Sequence, residues 1–452
     1  MSIKSPPEVI GNVFSMIANE APHEMDAYLD YFSPTDKKGR YLPYDELRHR
    51  IDDGLNHSYV WSLTKLARKR QTCKLLTLGE PANKCSFVLT PLIQKAISEV
   101  DRNTTSASLE WISSQIGEKS QMTYLLNDLI EDESISSSQL EGAATTTQVA
   151  KDMLKKGRKP RSEDEKMILG NYKLMLYAWE NRNKPLSLDL ISNMHQIGVE
   201  GIDDENYKPG VFRKSDDVHV VDGDGVIVHT PPPAKNLKSR FKKIIDWFNK
   251  NQEENEDATY LHPLIKAISL HFVMGYEHPF RDGNGRVARA LFYWYMFKRD
   301  FSAFRYIAIS VLLKKAPVKY GKSYLYTETD DMDFTYFIEY QCNTIIRAIN
   351  KFKEAYKTTA VEIEKFNQWL WESGLYKKLS DKQRTVFQVA KSGVAEGFTI
   401  RSVESNIACS YNTAAAVLNG LVDLKLFRKV KNGREWLYFM DSKESIMKNW
   451  DQ

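Results

Sequence analysis

Apolar residues along this chain recur mostly three and four positions apart, the period of a helix with one buried face. Leu109, Ile112 and Ile116, followed by Met122, Leu125, Leu126, Leu129 and Ile130, predict helix from Ser106 to about Met153. The same period runs through Met167 to Trp179 and Leu186 to Ile197, and a long amphipathic helix is predicted on Leu237, Phe241, Ile244, Ile245 and Phe248. One stretch departs from it. Val218, His219, Val220 and Val221, then Val226, Ile227, Val228 and His229, flank four turn-forming residues from Asp222 to Gly225. Two β-branched runs so joined predict a β-hairpin, ended by Pro231 to Pro233. The first hundred or so residues give shorter helical patterns, with a turn from Lys37 to Pro43 before a helix near Asp45, and show no chemistry.

Near the C-terminus the period breaks into short units. Helical patterns around Thr385 to Lys391, Arg401 to Ile407 and Asn412 to Leu424 precede two strand-like runs, Phe427 to Val430 and Arg434 to Phe439, joined through Asn432-Gly433. Three helices and a hairpin in that order predict a winged-helix domain, with Ser410 to Leu424 as its recognition helix. Between Leu379 and Met440 there are nine basic against five acidic positions, and Arg428, Lys429, Lys431 and Arg434 cluster in the wing. The recognition helix holds Tyr411, Asn412, Thr413 and Asn419 but no arginine. A DNA contact through this domain and a DNA-free interaction module therefore stay equally open.

Composition narrows the class. Of 452 residues, 42% are hydrophobic and 27% charged, enough to bury sizeable cores, and the 22 glycines and 16 prolines fall below average usage, which favours helices. A net charge of +4 is too small to make the whole surface a nucleic-acid site. The four cysteines are scattered and form no CxxC pair, so neither a disulfide scaffold nor a zinc knuckle is indicated. The start lacks an apolar signal core and no apolar run approaches a membrane span. The protein is expected to be soluble and cytoplasmic, with no membrane partner.

The stretch from His278 to Arg289, HPFRDGNGRVAR, carries the chemistry. It lies between two apolar-periodic segments and so forms helix, tight loop, helix. Gly283 and Gly285 allow positive φ and close approach of the backbone to a ligand, while the next helix points its free amides into the loop. Arg286 and Arg289, three apart, project from one face and can grip phosphate oxygens. Asp282 is a hard carboxylate suited to Mg²⁺, and His278 titrates near neutrality. Together these suit phosphoryl or nucleotidyl transfer.

The stretch resembles the signature HPFx[DE]GNGRxxR of the Fic (filamentation-induced-by-cAMP) family, matched without departure. The resemblance implies that His278 is the general base that deprotonates a hydroxyl of a target protein and that Asp282 holds Mg²⁺ on the ATP phosphates. It implies that Phe280 packs under the loop. Gly283, Asn284 and Gly285 would form the anion hole for the α- and β-phosphates, Arg286 would contact the phosphate chain, and Arg289 the γ-phosphate. The implied reaction transfers AMP from ATP to a Ser, Thr or Tyr hydroxyl and releases pyrophosphate. Tyr207 to Arg213, YKPGVFR, resembles the family's G-x-[FY]-R segment, and Val218 to His229 stands where the family carries a flap that registers a target segment by strand addition.

Ser137 to Gly142, SSQLEG, matches the family's inhibitory pattern [ST]-x-x-x-E-[GN]. Ser137 and Glu141 share a helix face. The resemblance implies that Glu141 pairs with Arg289 in place of the γ-phosphate, as in the class with an N-terminal inhibitory helix; in some members this glutamate positions a water that removes AMP, so de-AMPylation stays open. The expected architecture is mainly α: an N-terminal helical region (1–110), a regulatory segment with the inhibitory helix (111–165), a Fic core with its β-hairpin flap (166–360) and a C-terminal winged helix (376–452). A homodimer is a further expectation. A DNA-binding regulator whose Fic core senses nucleotide is the competing function.

Overall fold

The computed structural model describes residues 2–110, 119–203, 207–250, 260–391, 397–432 and 435–450. The chain is mainly helical, and two units can be told apart: Met1–Ser106 with Leu129–Ile349, and Ala107–Asp128 with Asn350–Gln452. No described helix is long and apolar enough to cross a membrane.

The first unit opens with α1 (Val13–Glu20) and α2 (His57–Lys69), whose apolar faces share a core of Val13, Ile17, Tyr28, Tyr59, Val60, Trp61 and Leu63. Between α2 and α3 (Pro91–Asn103) lies an antiparallel hairpin, β1 (Thr72–Leu78) and β2 (Asn83–Val88), paired from Thr72↔Val88 to Leu78↔Asn83. The short helical patterns expected over 1–110 do not include this hairpin. Alternation along β1 changes phase at the irregularity between Lys74 and Thr77, β2 has none that is regular, and interleaved lysines and small residues weaken the apolar signal further.

Next come α4 (Lys119–Leu140), of which residues from Leu129 belong to this unit, α5 (Thr147–Lys156), α6 (Glu163–Glu180) and α7 (Leu188–Gly198). The helix expected to run on to about Met153 is thus interrupted after Leu140, where Gly142 turns the chain at φ +102°. The last three starts carry side-chain caps, Thr146 on Val149 N, Ser162 on Glu165 N and Ser187 on Leu190 N. Helices α6 and α7 cross at two glycines: a Cβ on Gly170 would stand 2.6 Å from the Gly198 carbonyl oxygen.

The hairpin β3 (Val220–Val221) and β4 (Ile227–His229) is shorter than the eight strand residues expected, and it precedes α8 (Leu237–Asn249). Helices α9 (Pro263–Glu277) and α10 (Asn284–Lys298) are buried on nearly every side and form the centre of the unit. Around them stand α11 (Pro317–Thr329) and the first turns of α12 (Thr335–Glu372).

The second unit has its own core of Phe366, Leu370, Leu375, Phe387, Leu418, Leu421, Leu426, Phe427, Tyr438 and Ile446. Helices α13 (Asp381–Lys391), α14 (Ile400–Asn406) and α15 (Tyr411–Asp423) precede the hairpin β5 (Phe427–Asn432) and β6 (Glu435–Met440), and α16 (Lys443–Trp450) follows. Phe398 joins the edge of β6 through two backbone hydrogen bonds with Tyr438, each 2.8 Å. Gly433 and Arg434 of the expected wing lie outside the described residues.

Candidate active site

Helix α9 ends in a residue that both caps it and offers a base. His278 stands at φ +46°, ψ +62°, a left-handed conformation in which its N–H reaches the Met274 carbonyl at 3.2 Å. Its ring Nδ1 lies 3.2 Å from the Gly275 carbonyl oxygen, which can only accept. Nδ1 therefore carries the ring proton and Nε2 is left as an acceptor. Burial, aided by the charge of His229, pushes the imidazole down to about 4, so it is neutral at neutral pH.

The turn is gripped from three sides. Arg213, 5% exposed, donates through Nε to the His278 carbonyl (2.8 Å), through Nη2 to the Pro232 carbonyl and through Nη1 to Asp216 (3.1 Å), and its backbone N–H donates to the Pro279 carbonyl (2.8 Å). Glu277, fully buried, accepts from Gly79 N in the β1–β2 turn and from Arg240 Nε of α8, each at 2.9 Å. Asn284 locks Phe280 reciprocally, accepting from its N–H (2.9 Å) and donating to its carbonyl (2.8 Å). The Phe280 ring is buried, stacked at 3.7 Å on His195 and edge-on at 5.1 Å to Phe212.

The loop and the start of α10 then form a pocket of donors. Gly283 sits at φ +81°, and a Cβ there would press on Val199 and His195 at 3.1 and 3.3 Å. Asp282 accepts from Gly283 N–H, and burial raises its carboxyl above the ordinary range. Tyr207 stands beside the same carboxylate, and its ring lies 5.5 Å from the Arg286 guanidinium. Arg286, 1% exposed, donates to the Gly198 carbonyl through Nη1 (2.7 Å), while its Nε and Nη2 are buried with no hydrogen-bond acceptor. Buried cationic donors without acceptors fit the oxygens of a phosphate chain, and the adjoining Asp282 fits a hard divalent cation.

Helix α4 brings two expected residues onto Arg289. Its Nε donates to Ser137 Oγ (2.8 Å), and Nη2 donates to the Ser137 carbonyl (3.0 Å) and to Glu141 Oε1 (2.8 Å). Burial opposes the charge on Arg289, but the Glu141 carboxylate more than compensates and holds the guanidinium protonated. The same carboxylate fills the space above Gly285, where an added Cβ would collide with it. Gly142 ends the helix: its N–H bonds the Gln139 carbonyl (3.2 Å) and that of Ala143 the Ser138 carbonyl (3.1 Å), a Schellman pair that leaves Glu141 as the last cap.

The hairpin holds the residues expected of the flap. Val221, Val226 and Ile227 are more than half exposed, and Val218, Val220 and Val228 partly so. His219 is exposed, its Nδ1 3.4 Å from Thr230 Oγ1. The Asp222 carboxylate orders the turn by accepting from the Asp224 and Val226 N–H groups, each at 3.0 Å.

Three residues of this site escaped sequence reasoning. His195 accepts from Gly210 N through Nδ1 and donates from Nε2 to the Asp282 carbonyl, both at 2.9 Å, and burial pushes it down to about 4. A single histidine inside an apolar helical pattern looks like core. Glu133 is buried on α4 and accepts from Ser310 N (2.8 Å) and Oγ (2.5 Å); its spacing of four from Ser137 was the available signal. Glu277, next to His278, reads as a neighbour of the motif and nothing more.

These contacts set a neutral histidine beside a loop with buried, unmatched donors, and comparison with known proteins identifies the domain that holds it. Residues 185–296 match the model of the Fic/DOC family, and the chain carries a Fic domain there. Among characterised proteins it is similar to Protein adenylyltransferase Fic of Nematostella vectensis (38% identical over 63 residues, 14% of each chain). It is also similar to Uridine 5'-monophosphate transferase of Xanthomonas campestris pv. campestris (29% over 117 residues, 26% of this chain and 22% of the relative) and to Protein adenylyltransferase fic-1 of Caenorhabditis elegans (33% over 72 residues, 16% and 13%). The matched stretches thus span less than a quarter of these relatives. Among solved structures, a Fic family protein from Desulfovibrio desulfuricans G20 is 17% identical, with a TM-score of 0.49 over 79% of this chain and 98% of that one.

Proposed function

We propose that this protein is a self-inhibited protein adenylyltransferase. The observation that carries the reading is the meeting, within one turn, of a neutral His278 whose Nε2 is an acceptor and a buried Arg286 with two unmatched donors. In the proposed reaction His278 Nε2 takes the proton of a Ser, Thr or Tyr hydroxyl on a target protein. The hydroxyl oxygen forms a bond to the α-phosphorus of ATP, the bond from that phosphorus to the bridging oxygen breaks, and pyrophosphate leaves with the electron pair. Arg286 and the amides of Gly283, Asn284 and Gly285 hold the phosphate oxygens, and Arg213 keeps His278 in its turn. Mg²⁺, held by Asp282, would neutralise phosphate charge when bound. Exposed Val221, Val226 and Ile227 would dock a strand of the target at the flap edge.

Self-inhibition is supported by the Glu141 to Arg289 pair. While Glu141 holds Arg289, that guanidinium is withheld from the γ-phosphate and the space over Gly285 is filled. The test is label transfer from α-labelled ATP with Mg²⁺ into protein. Glu141→Gly should raise labelling about tenfold or more, a change that needs only about 1.4 kcal/mol, and Glu141→Gly with His278→Asn should abolish it. Bound ATP with no label in any variant would overturn the reading in favour of nucleotide sensing.

We also propose that the second unit is a winged helix. Support comes from its helix order and from the third strand position at Phe398 on β6. Arg428, Lys429 and Lys431 are exposed on β5, with the Lys429 ammonium 5.5 Å from the Trp436 ring, a surface suited to phosphate contacts on duplex DNA.

A further inference from the structure

His229 ends the return strand of the flap hairpin and is only 9% exposed. Its Nε2 lies 2.8 Å from the Tyr276 carbonyl oxygen and its Nδ1 lies 2.7 Å from Glu328 Oε2 of α11. A carbonyl and a carboxylate both accept, so both ring nitrogens carry protons and the ring is an imidazolium. In this it is the opposite of buried His195 and His271 and of half-buried His278, all held neutral. The Tyr276 ring stands 5.2 Å from that of His229. The carbonyl it binds belongs to the last turn of α9, two residues before His278 and next to the Gly275 carbonyl that fixes the His278 ring.

Charged and titratable groups act on this assembly from every element packed against it. Glu328 of α11 favours the cation; Arg213 opposes it; Tyr276, Glu277 and His278 face it or its partners from α9. Burial alone would lower the His229 pKa, but the hydrogen bond and charge of Glu328 outweigh burial and raise it. The proton on His229 is therefore a property of the bridge.

We propose that His229 is a positioning residue of the catalytic turn: as an imidazolium bridging Glu328 and the Tyr276 carbonyl, it ties the flap's return strand to the end of α9 and places a fixed positive charge beside the base. The inference rests on the reading of His278 as that base. Two consequences follow from the charge and the bridge. A cation nearby disfavours a second one, so His278 stays deprotonated to lower pH than it otherwise would. Removing the bridge frees the last turn of α9, and misplacement of a base costs rate more than nucleotide affinity.

The experiment uses the full chain with Glu141→Gly to relieve inhibition, α-labelled ATP and Mg²⁺ as probe, and self-labelling as readout. His229→Gln keeps a donor for the Tyr276 carbonyl but carries no charge; Glu328→Gln, on a different helix, removes the anion that holds the His229 proton. Each should lower the rate roughly tenfold to a hundredfold with KM for ATP unchanged. Each should also move the acid limb of the pH profile to higher pH, because His278 without its cationic neighbour is protonated sooner. The double variant should be no worse than either single one. An acid limb that stays put in both variants, or losses that simply multiply, would overturn the proposal. Should Glu141→Gly transfer no label at all, the adenylyltransferase reading fails, and the titration of the His278 ring by NMR on ¹³C-histidine-labelled protein still decides this one. A midpoint unmoved by His229→Gln sinks it.

Discussion

The turn from His278 to Arg289 and the β3–β4 hairpin stand next to one another and are built on opposite plans. From His278 to Arg289 the backbone is pinned by bonds inside the protein while donors of Arg286 and Arg289 stay unmatched, and Phe280, Asn284, Arg286 and Arg289 are at most 3% exposed. The hairpin has only two paired registers, a shift between them, and apolar side chains turned to solvent. Chemistry needs reacting groups fixed to fractions of an ångström, and a buried, over-determined turn supplies that. Recognition through backbone addition asks for an open edge and tolerates variation. His229 joins the two plans, since it belongs to the hairpin but is buried like the turn.

That contrast can be broken most severely at Arg213. Arg213→Ala leaves the His278 and Pro232 carbonyls without their donor, and label transfer in the Glu141→Gly background should fall about a hundredfold. Calorimetry should show a destabilised protein as well. Arg286→Lys should weaken ATP binding roughly tenfold, read by isothermal titration, because a lysine cannot reproduce the fork of donors.

A smaller effect is expected from pH alone. His195 and His278, held near 4, and His271, held near 3, bind protons less readily folded than in the unfolded chain, where histidine titrates near its ordinary 6.5. Their contribution is fully present above pH 6.5 and is lost as pH falls towards 4. Tm should therefore drop steadily from pH 7 to pH 5, and less steeply in His195→Gln. Least of all should be seen on the hairpin. Ile227→Ser should change unfolding free energy by no more than about 0.5 kcal/mol, because the side chain is already 54% exposed. It should still reduce labelling of an added protein target while leaving ATP binding intact.

How far the molecule is legible from its residues differs by region for a physical reason. The loop could be read because twelve consecutive residues carry all its donors, and α9 and α10 because their apolar periods are strong. Glu141 could be placed through a motif, but its partner Arg289 lies 148 positions away, and only the named family linked them. His195, Glu133 and His229 could not be assigned, since each works through a contact 47 to 177 positions distant in sequence, and the spacing of Glu133 from Ser137 alone names no partner. The β1–β2 hairpin was masked by its polar positions.

The backbone of His278 has a consequence for how this chain could change over evolutionary time. At φ +46° and ψ +62° the position favours glycine, asparagine or aspartate, and most other residues would cost of order 1 kcal/mol in a helix end that also seats the loop. A descendant that lost the proposed activity would therefore have few ways to do so quietly. Asparagine or glycine at 278 would remove the imidazole and keep the turn, whereas a β-branched residue would erode the fold along with the proposed activity. Lineages in which this position reads Asn or Gly would be the ones to search for a nucleotide-binding protein that has outlived its chemistry.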